Sequence, residues 1–225
     1  MIQTAAREID LAPQYPRPLF LYALFYGGMT CIAGVLGAKQ VALGPLAVEA
    51  GIFPFLLLVS ISSSVAQLYG QKTAAQLVRF GFVPLVMAIL LTFIVLALPT
   101  DAGMYEPAKE AFPIVLGQSW RLMAAGIIAY GISMSLNVLI FSRLAAWVRA
   151  PMLAPTWIRG AVASTISQVI DTLIFITVAF YGVRPIADLI AGQALAKIVL
   201  SLLLVPPVIA LLVRLARWME PAPAS

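Results

Sequence analysis

Six apolar stretches divide the chain, at about 19–38, 52–70, 77–98, 119–147, 157–181 and 186–213. Each is near or above the roughly 20 residues a helix needs to cross the hydrocarbon core. Six membrane spans are therefore predicted, the fourth long enough to tilt or to extend beyond the bilayer. Between the third and fourth, residues 99–119 carry Asp101, Glu106, Lys109 and Glu110 and read as an outer loop with a short interfacial helix over 106–112. The chain divides into an N-terminal segment (1–18), a six-helix domain (19–213) and a C-terminal tail (214–225). The fold class is an all-α integral membrane protein.

The apolar pattern is interrupted where it should be purest. In residues 159–181, Ser164, Ser167, Gln168 and Asp171 occupy the middle of a span. At about 100° per residue they share one side of a helix with Gly160, Phe175 and Val178, while Ile, Leu, Val and Phe cover the rest. A carboxylate at that depth costs about 2.5–3.5 kcal/mol even on lenient insertion scales, so a chain that keeps one either pairs it or uses it. Three other spans carry polar stripes: Ser60, Ser63, Ser64 and Gln67 in the second, Tyr130, Ser133 and Asn137 in the fourth, and Gln193, Lys197 and Ser201 in the sixth.

Spans five and six are joined by a tight turn around residues 182–185, which makes them antiparallel neighbours. Asp171 lies 13 residues before Arg184 and Lys197 lies 13 after it. The two therefore sit at similar depth and can pair if their faces meet. Two readings stand side by side: an ion pair that fixes helix register, and a ligand site held in shape by Lys197. The amides Gln67, Asn137, Gln168 and Gln193 are further candidates, because hydrocarbon satisfies none of an amide's hydrogen-bonding positions. Serines at helical spacing more often pack or bond their own backbone. Glu49 reads as a solvated loop residue, and Gly27-Gly28 with Gly34 and Gly37 as close helix contacts. Trp120 and Arg121 read as an outer anchor, and Arg214, Arg217 and Trp218 as an inner one. Ser63-Ser64-Val65-Ala66-Gln67 resembles Ser164-Thr165-Ile166-Ser167-Gln168, a candidate trace of two inverted three-helix repeats. Independent selection of small residues for helix packing is the favoured explanation of the match.

Composition narrows the function. With 62% hydrophobic and 10% charged residues among 225, the chain falls far outside soluble averages. The net charge of +5 is small and scattered, which argues against nucleic acid as a partner. With the N-terminus inside, Arg7, Arg17, Lys72, Arg79, Arg143, Arg149, Arg159, Arg214 and Arg217 face the cytoplasm. Only Lys39, Lys109, Arg121 and Arg184 face outward. That imbalance places both termini in the cytoplasm. No small-residue cleavage site precedes a soluble domain, so the first stretch reads as a retained span. The single Cys31 and the absence of histidine disfavour disulfides, Cys- or His-based metal sites and most membrane-enzyme chemistry. No GxxxxGK[ST] phosphate loop is present, and no cofactor is expected. A non-transporting scaffold would not need polar residues at the midplane. Lipid and a small molecule are the expected partners, with a homodimer left open.

The residues also carry a resemblance. Arg159 with Ser164 to Phe175 is similar to the fifth-span signature of the queuosine precursor transporters, also called the vitamin-uptake-type transporter family. Gln193, Lys197 and Pro206-Pro207 resemble its last span. Phe53-Pro54-Phe55 and Leu68-Tyr69-Gly70 resemble its second, and Asn137-Val138 with Phe141-Ser142-Arg143 its fourth. The resemblance implies six helices, a place in the bacterial inner membrane, and kinship to the substrate-binding subunits of energy-coupling-factor importers. It implies import of 7-cyano-7-deazaguanine or its aminomethyl analogue. The alternative is a binding subunit for another heterocycle or vitamin that depends on a separate ATPase module. One span departs from the family: where an acidic residue, a further charge and an Ala-Arg pair are usual, this chain has Ser63, Gln67 and Ala75-Gln76. The ligand chemistry fits the candidate residues. A carboxylate such as Asp171 can accept the ring N–H and exocyclic amine, a glutamine or lysine can donate to the carbonyl, and an apolar slot suits the rings.

Overall fold

The computed structural model describes residues 16–43, 46–117, 120–147, 156–182 and 186–220, without the side chains of residues 43, 46, 47, 120, 121, 147, 156, 157, 188 and 189. The expected anchor at Trp120 and Arg121, most of the N-terminal segment and the centre of the turn at 183–185 lie outside that description. The elements are α1 (Arg17–Gly37), β1 (Gln40–Leu43), β2 (Leu46–Glu49), α2 (Ile52–Ala97), α3 (Glu106–Leu116), α4 (Trp120–Trp147), α5 (Thr156–Phe180) and α6 (Ala187–Met219). Five of these, α1, α2, α4, α5 and α6, are long and apolar enough to cross a membrane. Large apolar side chains such as Phe20, Leu24, Phe80, Val83, Leu203 and Leu211 point outward. With the backbone bonded inside helices and apolar side chains on the outside, this is a multi-pass membrane protein.

The 46-residue α2 is where sequence and structure first part. As one straight rod it would run about 69 Å, more than twice the hydrocarbon thickness. It does not do so, because Gly70 sits at φ 85° and ψ 165° in its middle. Residues 52–69 form a first arm and 71–97 a second. Gly51 lies against Ala33 and Gly37, near the end of α1. Leu77, Gly81 and Pro84 lie beside Ala23 to Cys31, nearer its start, and the Cys31 thiol donates to the Pro84 carbonyl at 3.5 Å. The first arm therefore runs antiparallel to α1 and the second parallel to it. The six-residue connection expected at 71–76 is not needed. A residue without a Cβ reverses the chain alone, in a region of φ/ψ that is essentially closed to other residues.

Packing follows from that reversal. Residues 58–65 of the first arm are buried on every side, as expected of a helix at the centre of a bundle. Around it stand α1, α4 and α6. Gly81 leaves room for the Tyr26 ring, and Gly131 for Phe82. The Tyr130 hydroxyl donates to Tyr26 at 2.7 Å, and the Phe82 and Tyr130 rings meet edge to face at 5.0 Å. Tyr22 donates through its hydroxyl to the Leu212 carbonyl. The Arg17 amide donates to Glu220 at 2.7 Å. The start of α1 and the end of α6 thus lie at the same end of the bundle.

Three further details differ from the expectation. The chain is not purely α: β1 and β2 form an antiparallel hairpin pairing Gln40 with Glu49 and Val41 with Val48, and β2 rests against α6. The β-branched pair Val41 and Val48 suits a pleated surface. α6 continues to Met219, six residues past the expected end, because leucine, alanine and arginine there remain good helix formers. The outer helix α3 covers Glu106–Leu116 and so is longer than the 106–112 expected.

Nothing lies within 4 Å of a Cβ built on Gly70 or on Gly28. Only the backbone therefore separates the two sites. Gly70→Val is expected to cost about 1–3 kcal/mol, while Gly28→Ala should be neutral or slightly stabilising. Thermal unfolding of both variants in detergent checks this, and equal melting temperatures would mean that the reversal does not require glycine.

Candidate functional site

The polar stripes of four helices converge on one buried layer. Asp171 on α5 and Lys197 on α6 are only 7% and 9% exposed, and the lysine ammonium donates to Asp171 Oδ2 at 3.1 Å. The two residues, equally far from the turn at 182–185, thus meet face to face at one depth. Ser133 of α4 donates to the other oxygen, Oδ1, at 3.1 Å. One carboxylate thus ties three helices together. A buried pair of this kind is strong only when its remaining hydrogen-bonding positions are satisfied, which is what Ser133 contributes.

One turn towards the Gly70 end lies an amide level. Asn137 follows Ser133 by four residues on α4, and Gln168 precedes Asp171 by three on the antiparallel α5, so both step in the same direction from the Ser133–Asp171 bond. Asn137 is fully buried and its amide nitrogen donates to Ser62 at 3.2 Å and Ser63 at 3.3 Å, both on the first arm of α2. The Ser62 hydroxyl already donates to the Val59 carbonyl at 3.0 Å, so it can only accept from Asn137. That fixes the amide orientation and leaves Asn137 Oδ1 buried without a partner. Gln168 is 0% exposed, and among the described residues neither its amide oxygen nor its nitrogen has a hydrogen-bond partner. The Thr172 and Ser201 hydroxyls are likewise buried and unmatched. Burying an unmatched amide or hydroxyl costs about 1–3 kcal/mol per group.

The two remaining candidates stand at the layer's edges. Gln193, one turn before Lys197, is 4% exposed and donates to Glu49 Oε1 at 3.5 Å. Its own oxygen is buried and unmatched. Glu49 is therefore not the solvated loop residue expected. It sits at the end of β2, between the buried Val48 and Ala50, and β2 carries it onto α6. The only cue in the sequence was the apolar run at residues 46–48 just ahead of it, which is too short to separate a strand from a loop. Gln67 lies one turn beyond Ser63 towards Gly70; it is half-buried, with its oxygen unmatched. The structure thus brings Asn137, Gln168, Asp171 and Lys197 together, with Gln193 and Gln67 on either side. Ser133 and Ser63, which sequence reasoning assigned to packing, and Ser62, which it did not single out, turn out to hold two of these side chains.

Two grooves on the bundle surface contain none of the six candidate residues. One of about 520 Å³ lies between α1 and the second arm of α2, lined by Tyr26, Gly27, Cys31, Gly81 and Pro84. The other, about 230 Å³, lies between the first arm and α6. Both are apolar clefts on the bundle's outer surface. The chemically equipped layer is the interior one, and a molecule could reach Gln168 only if helices moved.

Comparison with known proteins finds relatives among transporters. A family model described as "Putative vitamin uptake transporter" matches residues 49–211. A "Probable queuosine precursor transporter" of Bacillus subtilis (strain 168) is 26% identical over 192 residues, covering 81% of this chain and 80% of that protein. No solved structure matches the chain.

The ion pair itself is open to measurement. Lys197→Met leaves a buried carboxylate without its counter-charge, and Asp171→Asn leaves a buried ammonium. Each is expected to lower stability by about 3–5 kcal/mol. The double variant should lose clearly less than the sum of the two. Denaturant unfolding in detergent reads all three, and strict additivity would show that the two charges do not support each other.

Proposed function

The chain belongs to the vitamin uptake transporter family, and we propose that it imports a queuosine precursor, 7-cyano-7-deazaguanine or its aminomethyl analogue, across the bacterial inner membrane by alternating access. The observation that carries this reading is the amide level beside the Asp171–Lys197 pair. A bundle that only had to be stable would not keep Gln168 fully buried with both ends of its amide unmatched. A small polar heterocycle supplies the missing partners, and the name of the Bacillus subtilis relative points to the same ligand class. The site comprises Asn137, Gln168, Asp171 and Lys197, with Gln193 towards the hairpin side and Gln67 towards the Gly70 side.

Six crossings, with both termini cytoplasmic, suit the geometry. α1 and α6 are antiparallel through the Tyr22–Leu212 and Arg17–Glu220 bonds, so the chain crosses an even number of times. The fold-back at Gly70 supplies the crossing that a count of continuous helices misses. α5 is antiparallel to α6, since Gly160 meets Ile209 while Asp171 meets Lys197. The first arm of α2 and α5 consequently run in opposite senses. That is the relation an inverted three-plus-three repeat requires, with the site where the halves meet. Burial of the layer on all sides supports alternating access, because loading and release each need one side to open.

In bacteria that neither make nor import the precursor, this chain should confer saturable uptake of labelled 7-cyano-7-deazaguanine. The Asp171→Asn/Lys197→Met double variant, shown by unfolding to be folded, should lose at least about 90% of that uptake if the pair shapes the site. Uptake that appears only when an energy-coupling-factor ATPase is supplied would make the chain a binding subunit and not a self-sufficient carrier. Wild-type uptake by the folded double variant would remove the layer from the transport site.

A further inference from the structure

We propose that the buried amide level reads its ligand through three adjacent positions in the order acceptor, donor, donor, and that Gln168 with Asn137 performs this reading while Asp171 positions the site. The inference rests on the layer being the transport site. Asp171 already holds Ser133 on one oxygen and Lys197 on the other. Asn137 has spent its donor on Ser62 and Ser63, which leaves an acceptor, Oδ1. Gln168 has spent nothing and offers one donor, Nε2, beside one acceptor, Oε1. Both residues are 0% exposed and stand at the same level on antiparallel helices.

On the two amides the open positions are thus one donor and two acceptors, while the Thr172 and Ser201 hydroxyls nearby can serve in either sense. Their complement is a ligand edge with one acceptor and two donors. A primary amide presents its donor and acceptor side by side, so Gln168 matches a lactam, in which a ring carbonyl adjoins a ring N–H. The same bidentate logic lets glutamine and asparagine read adenine edges in nucleic acids. The second acceptor, Asn137 Oδ1, calls for another N–H next to the lactam. A 2-aminopyrimidin-4-one ring has these groups in this order: carbonyl, ring N–H, exocyclic amine. An adenine-like edge presents an amine, a ring acceptor and a C–H; Gln168 can turn its amide to meet the first two, but Asn137 Oδ1 then faces the C–H and stays unmatched. Selection against it follows from the cost of that buried orphan.

The two-arm design uses the intact protein in detergent. First, wild-type binding of 7-cyano-7-deazaguanine is compared with its N1-methyl derivative, its analogue without the 2-amino group and 7-cyano-7-deazaadenine. Each altered edge is expected to bind at least about tenfold more weakly. Second, Gln168→Met replaces the amide by an apolar group of similar length. Ligand-free melting should then stay constant or rise, because an unmatched buried amide is removed. Affinity for the parent should fall at least about tenfold, and discrimination against the N1-methyl derivative should shrink to within about threefold. Asn137→Asp, which keeps an acceptor, should preserve discrimination at the 2-amino group. A steep fall in ligand-free melting for Gln168→Met would show that the amide is used internally and would overturn the assignment. Parent binding with unchanged affinity and discrimination in Gln168→Met would overturn it as well, while leaving the transport reading standing. Failure of wild-type protein to bind any deazapurine would instead bring down the transport reading and this inference with it.

Discussion

Hydrocarbon offers no hydrogen bonds, and that single fact orders this structure. Every polar group drawn into the bundle has to find its partner in protein or in cargo. Backbone groups meet the requirement inside helices, and most serines meet it locally. Ser60 and Ser64 bond the carbonyls four residues back, and Ser164 and Ser167 those three back. The Asp171 carboxylate cannot be satisfied within one helix. It is served by α4 and α6 at once, so the most expensive side chain in the bundle also fixes the mutual depth of three helices.

The second constraint is geometric. Reversal at Gly70 turns what would be one over-long rod into two arms, and it sends the serine-bearing arm into the centre of the bundle. Without that reversal, Ser62 and Ser63 would not reach Asn137, and the amide level would lose a wall. The cost of an unusual backbone conformation falls on the one residue type that bears it cheaply. Glycines elsewhere serve packing: Gly81 and Gly131 admit aromatic rings that lock α1, the second arm and α4 together.

The amide level is then the exception that carries meaning. Ser133, Lys197, Ser62 and Ser63 hold Asp171 and the donor side of Asn137, yet Gln168 is unmatched at both ends and Asn137 Oδ1, Thr172 and Ser201 are open beside it. Natural sequences break local rules of satisfaction mainly at functional positions, where stability is given up for recognition. In a transporter the unmatched groups must stay few and weakly committed, because cargo that is bound must also be released.

Much of this was determined by sequence alone. Apolar length marked where the long membrane-crossing helices lie and their approximate bounds, because a helix of fixed rise must cross a core of fixed thickness, but it drew α2 as two separate stretches. Equal distance from the turn predicted that Asp171 and Lys197 would meet, because two antiparallel helices share one rise per residue. The stripes named Asn137, Gln168 and Gln193 as buried amides. Tertiary structure decided what periodicity cannot carry. A single positive-φ glycine replaces a loop, since conformation at one residue leaves no composition signal. A hairpin of two four-residue strands brings Glu49 onto α6, since short strands and loops look alike in sequence. Above all, whether a buried amide is matched depends on partners from other helices, and only their packing left Gln168 open while closing around Asp171.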